Sequence, residues 1–167
     1  MQKCNGCTLC CKLLPTEEVG SMRNKWCDMC SPGVGCVKYK DRPSSCKRFN
    51  CAWLQMDDAA IELRPDECKV VFQKINDRIM MGVLDPHSQL KTIVKKQIGS
   101  FLNEGYSVLL VKADWKEKPS IYLAKNHTAK EVWDAVMNKE KTIVEETEKT
   151  KEKEEEVDST KLHGRSQ

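Results

Sequence analysis

A chain of 167 residues, 40% hydrophobic and 6% aromatic, is long enough for one ordinary domain, or for a small metal-stapled module beside a second small unit. Its formal net charge of +3 is too slight to indicate a nucleic-acid partner, and no apolar run approaches the ~18 residues that cross a membrane. The charge is uneven: residues 1–56 hold nine Lys or Arg against four Asp or Glu, and 145–158 hold eight acids against three Lys.

Residues 1–56 form the first part. Nine of the ten cysteines lie here, at Cys4, Cys7, Cys10, Cys11, Cys27, Cys30, Cys36, Cys46 and Cys51. Turn formers such as Asn5-Gly6, Ser31-Pro32-Gly33 and Arg42-Pro43-Ser44 alternate with them, and no long apolar period appears. Such a segment cannot fold on hydrophobic burial alone, and cross-linking supplies what is missing. Lys3 and Cys4 follow Met1 with no apolar stretch of an export signal, so a cytoplasmic protein is expected, in a compartment where clustered thiols act as metal ligands or redox groups rather than disulfides. The local excess of Lys and Arg then offsets the charge of metal-bound thiolates.

Residues 57–144 read as an α+β unit with the order ββαββα. Val70-Val71-Phe72 and Ile79 to Leu84 are strand-like runs separated by a turn at Asn76-Asp77. Asp85-Pro86 offers an N-cap and first-turn proline, after which Leu90, Ile93, Val94, Ile98, Phe101 and Leu102 recur at helical spacing until Gly105. Two further strands are expected at Tyr106–Val111 and Ser120–Ala124. A capping box, Thr128 with Glu131, then opens a helix whose stripe is Val132, Trp133, Val136 and Met137. Residues 145–167 are a charged tail with almost nothing to bury, either a solvated helical extension or disordered.

The cysteine spacing admits two partitions. Cys4-x2-Cys7-x2-Cys10 is the arrangement by which one short loop presents three thiolates to an iron–sulfur cluster, although the usual fourth Cys followed by Pro is absent. Cys4-x2-Cys7 with Cys27-x2-Cys30 instead matches a two-knuckle zinc site. Cys10 and Cys11, if extended, point to opposite sides and serve different centres, or act as a redox pair.

The string Cys4-x2-Cys7-x2-Cys10-Cys11, followed by Gly35-Cys36-Val37-Lys38-Tyr39, Arg42-Pro43-Ser44-Ser45-Cys46 and Phe49-Asn50-Cys51-Ala52-Trp53-Leu54, resembles the CxxCxxCC cysteine-cluster family. That family is described as a zinc- or iron-chelating domain and in places as an iron–sulfur oxidoreductase. The resemblance covers residues 3–54, and Leu63-Arg64-Pro65-Asp66 is similar to members with a C-terminal extension. It implies metal ligation by Cys4, Cys7, Cys10, Cys11, Cys27, Cys36, Cys46 and Cys51, with Cys30 extra to that set.

Other residues take plainer readings. His87 and His127 lack a partner at metal-site spacing and are read as surface or capping residues; His163 lies in the tail. Arg42-Pro43 is a rigid turn between Cys36 and Cys46. Trp26, Trp53, Tyr39 and Phe49 are expected to pack over the metal and exclude water. Cys68 is read as a buried thiol and Met80-Met81 as core. Three functions stay open: an iron–sulfur or other metalloprotein carrying electrons or supporting a redox reaction; a structural zinc module with a protein or nucleic-acid partner; and a thiol-redox protein using Cys10-Cys11. Three thiolates in one short loop tilt the choice towards iron–sulfur. An unidentified protein partner is compatible with all three, and a membrane partner with none.

Overall fold

A computed structural model describes Cys4 and residues 6–139; the expected charged tail, 145–167, lies outside them. The centre of the fold is a four-stranded sheet, β3 (Val70–Asn76), β4 (Ile79–Leu84), β5 (Ser107–Lys112) and β6 (Ser120–Tyr122), in spatial order β3-β4-β5-β6. β3 pairs antiparallel with β4, β4 parallel with β5, and β5 antiparallel with β6. β4 is covered on both faces, so the uninterrupted run Ile-Met-Met-Gly-Val-Leu is buried at every position. Gly82 is required there, since a Cβ would stand 2.7 Å from Phe72 Cε1 and 2.9 Å from Leu110 Cδ1. The β3–β4 turn is Asp77-Arg78, one residue beyond its expected place, and Asn76 Oδ1 accepts the Arg78 N–H at 2.9 Å.

The parallel β4–β5 pair needs a crossover, and α5 (Thr92–Asn103) provides it. Val94, Ile98 and Phe101 of α5 pack on Phe72, Met80, Leu84, Val108 and Leu110, with Phe72 and Phe101 edge to face at 5.3 Å. Gly105, at φ +90°, ends the helix, and Tyr106 N–H returns to Phe101 O at 2.8 Å. The start departs from expectation. Asp85-Pro86 does not cap α5, because Asp85 is 6% exposed and committed to tertiary partners: its Oδ2 meets Lys12 Nζ at 2.6 Å. The helix begins at Thr92 after Lys91, with no side-chain cap.

On the other face, a helix over 129–139, labelled α6, lays Val132 and Val136 against Val71, Met81, Val83, Leu109 and Val111. Its capping box is made: Thr128 N–H donates to Glu131 Oε2 at 2.7 Å, and Glu131 N–H to Thr128 Oγ1 at 3.3 Å. Leu9, Leu13 and Trp53 join the same cluster, so the cysteine-rich segment is anchored to the sheet at both of its ends. This segment holds single-turn helices α1 (Cys10–Leu13), α2 (Ser44–Arg48) and α3 (Ala52–Gln55) and a small hairpin of β1 (Cys30–Ser31) and β2 (Gly35–Cys36); α4 (Pro65–Cys68) leads into β3. Between the anchors, from 14 to 50, no residue is buried. The fold is therefore α+β, with an irregular cysteine-rich part attached to a ββαββα unit. Among the described residues no helix is long and apolar enough to cross a membrane.

Candidate functional site

The loop carrying Cys4 and Cys7 is clamped onto the tip of the β1–β2 hairpin. Cys7 N–H donates to Cys4 O at 2.7 Å, closing a tight turn through Gly6 at φ +82°. A Cβ at Gly6 would come within 2.7 Å of Gly33 O, so only glycine allows the approach. Buried Thr8 completes the clamp by accepting the Gly33 N–H on Oγ1 at 3.0 Å.

One residue further, α1 turns Leu9 and Leu13 into the core and leaves Cys10 and Cys11 half-buried. Cys10 and Cys11 are not extended but helical, so their side chains diverge by about 100° rather than 180°, and the two thiols lie within electrostatic reach of each other. Cys11 O accepts the Cys27 N–H at 3.0 Å, and Cys27 O accepts the Cys30 N–H at 2.9 Å, which forms the turn of the Cys27-x2-Cys30 pair. Cys30 is the direct cross-strand neighbour of Cys36. Directly opposed residues place their side chains on one face of a hairpin. The Cys11 thiol reaches Cys30 as well as Cys10.

The remaining cysteines divide. Cys46, on α2, sits with its sulfur 3.9 Å from Thr16 Oγ1 and within electrostatic reach of Cys11 and Cys27. Its helix is tethered by Glu18, which accepts the Ser45 N–H at 3.1 Å. Cys51, the N-cap of α3, is buried and lies near Cys4. Cys7 instead meets Asp66 of α4, which is held by Arg64 in a bidentate pair at 2.6 and 2.7 Å. The first three cysteines therefore have different neighbours, and Cys27 and Cys30 lie near Cys11 rather than Cys4 and Cys7.

Electrostatics favour the protonated form of Cys7, Cys11, Cys30, Cys46 and Cys51. Burial pushes Cys7 up to about 11 and, with the Cys11 thiol beside it, Cys30 up to about 12. The hydrogen bond that the Cys11 thiol gives to Cys10, together with burial, drives Cys11 higher still, against the pull of the Arg42 charge. Cys46 and Cys51 are raised by burial. Burial alone would raise the Asp66 carboxyl, but Arg64 and the Cys7 thiol outweigh it and hold it low.

All ten cysteines are free thiols, and no three His, Cys, Asp or Glu side chains converge on a metal position among the described residues. Cys68 is the core thiol expected of it, fully buried with Sγ 3.3 Å from Val70 O. The aromatics divide between core and surface. Trp53 is buried and Phe49 packs on the core, whereas Trp26 and Tyr39 are exposed, and Tyr39 carries the Arg42 guanidinium 4.3 Å above its ring. His87 is exposed, and His127 is engaged at both ring nitrogens by Ser107 Oγ at 2.6 Å and Arg78 Nε at 2.7 Å. One neighbour of the site escaped sequence reasoning, Asp66, whose only signal was the Arg64-Pro65-Asp66 string; for Cys30 only the pairing with Cys36, which depends on hairpin register, was hidden. No family, curated protein or solved structure matches the chain.

Proposed function

We propose that the chain is a cytoplasmic metal-binding protein that holds zinc or an iron–sulfur cluster through Cys4, Cys7, Cys10, Cys11, Cys27, Cys36, Cys46 and Cys51. The observation that carries this is the stretch from 14 to 50, which has ordered turns and a hairpin but no buried residue, and which holds Cys27, Cys30, Cys36 and Cys46. A segment with no core of its own needs another source of cohesion, and thiolate–metal bonds supply it. The donor set fits: sulfur ligands favour zinc and iron–sulfur clusters over magnesium or calcium. Thiols with raised proton affinity, such as Cys11 and Cys30, ionise when a cation takes the protons' place.

Bound zinc would cross-link the segment; an iron–sulfur cluster would add one-electron transfer. The turn at Cys27-x2-Cys30 and the paired Cys36 favour the structural zinc reading for that part of the chain, with a protein partner docking elsewhere. The thiol-redox reading is weakened, because a reactive thiol needs a lowered pKa and Cys11 is raised. Anaerobic purification with a visible spectrum and a labile-sulfide assay tests the choice. Charge-transfer absorption with sulfide identifies a cluster; a colourless protein containing zinc identifies the structural site.

A further inference from the structure

Resting on the thiolate–metal reading above, we propose that Cys30, outside the eight-cysteine set, is a ligand, and that Cys11, Cys27, Cys30 and Cys36 form one four-thiolate centre for a divalent cation of the zinc class. Three pieces of backbone bring the four together, and each is bonded to the next. Cys27 and Cys30 flank a two-residue turn closed by the Cys30 N–H on Cys27 O at 2.9 Å, the loop form in which two thiolates share one tetrahedral ion. Cys36 stands directly across the hairpin from Cys30 and shares its face. α1 docks on this unit through Cys11 O, which accepts the Cys27 N–H at 3.0 Å, and the Cys11 thiol lies within electrostatic reach of Cys30.

Of the other thiols, Cys7 meets Asp66 and Cys4 lies with Cys51, while Cys10 flanks Cys11, and Cys46 on α2 rests against Thr16 within electrostatic reach of Cys11 and Cys27. The four sulfurs stand on neighbouring backbone positions without converging, and ligation completes the site by side-chain rotation on a scaffold already hydrogen-bonded. No carboxylate belongs to the four, so the donor set is soft throughout and selects zinc over magnesium or calcium. Four thiolates on a divalent ion leave a formal charge of about −2. Arg42, within electrostatic reach of Cys11, is placed to offset part of it.

Cobalt(II) is the probe, added to the full chain with the thiols reduced, because its visible bands and sulfur-to-metal charge transfer report a tetrahedral thiolate site and zinc displaces it. The wild-type chain is expected to show such a band; Cys30→Ser and Cys36→Ser should each weaken the site by more than about 100-fold, whereas Cys68→Ser should leave it unchanged. Far-UV circular dichroism checks that each variant keeps its sheet. Alkylation of the unmutated chain gives an independent reading: one equivalent of zinc should protect Cys30 from iodoacetamide. Wild-type cobalt binding by Cys30→Ser, unprotected Cys30 in the zinc-loaded chain, or loss of the band in Cys46→Ser but not in Cys36→Ser would each overturn the assignment while leaving the broader metal reading intact. A wild-type chain that takes up neither cobalt nor zinc nor iron would bring down both.

Discussion

The Lys12 ammonium lies 2.6 Å from Asp85 Oδ2, so the residue next to Cys11 is ion-paired with the end of the central strand. Both side chains are largely covered, at 18% and 9% exposure. Burial alone would raise the Asp85 carboxyl, but Lys12 and the His87 N–H outweigh it and hold it below the ordinary carboxylate range. This bond, together with Leu9 and Leu13 in the core, makes the sheet a foundation for α1 rather than a neighbour of it.

Lys12→Met should therefore destabilise the chain by roughly 1–3 kcal/mol at neutral pH, the range between exposed and buried pairs, because it strands the Asp85 charge. A carboxyl with a lowered folded-state pKa contributes stability that is present above the unfolded value near ~3.9 and is lost as pH falls through the folded value. The gap between wild type and Lys12→Met should narrow as a urea-unfolding series passes below that range. A gap independent of pH would show that the pair contributes nothing to acid sensitivity.

Gly6→Ala should cost more than Gly33→Ala, although both glycines sit at positive φ, +82° and +75°. An alanine at either position bears about 1–2 kcal/mol of left-handed strain. At Gly6 the new Cβ also meets Gly33 O at 2.7 Å, while at Gly33 it meets nothing within 4 Å. The clamp between the Cys4–Cys7 loop and the hairpin should loosen only in the first variant. Parallel thermal melts and bound-metal measurements on the two proteins decide this; equal effects would mean the clamp is unimportant.

Removing metal should open the chain selectively. Residues 14–50 contain no buried side chain, whereas Leu13 and Trp53 on either side are in the core. A strong chelator should thus expose protease sites within 14–50 and leave 70–139 protected, as expected of a local unit whose stability differs from the rest. Uniform cleavage along the chain, or none, would contradict this.

Cys68→Ser should keep full metal content and lose about 1–3 kcal/mol of stability, since the site is fully buried and a hydroxyl replaces a thiol placed among the carbonyls of Leu63 and Val70. Cys7→Ser should do the reverse, losing metal with little effect on the sheet. Melting curves and metal assays on the pair separate core thiol from ligand.

Elements whose signals are local were legible in the residues. The unbroken run of β4, the Gly105 stop and the Thr128–Glu131 box each depend on contacts within a few positions, and each stands where it was expected. What escaped depends on distant partners. Asp85-Pro86 has the form of a helix start, but Lys12, 73 positions away, claims the carboxylate. Leu9 and Leu13 occupy one helical turn, too short for any periodicity to register, yet they anchor the cysteine segment. Cys30 is legible through its spacing from Cys27, but its place opposite Cys36 is set only by the hairpin register.

Metal, rather than burial, is expected to hold the cysteine segment together. Metal and labile sulfide per chain, measured on protein purified without oxygen or chelator, test it most directly. The account predicts bound zinc or iron at about one equivalent or more, released together with the protection of residues 14–50. A metal-free chain with all ten thiols open to alkylation and 14–50 still protected would contradict it.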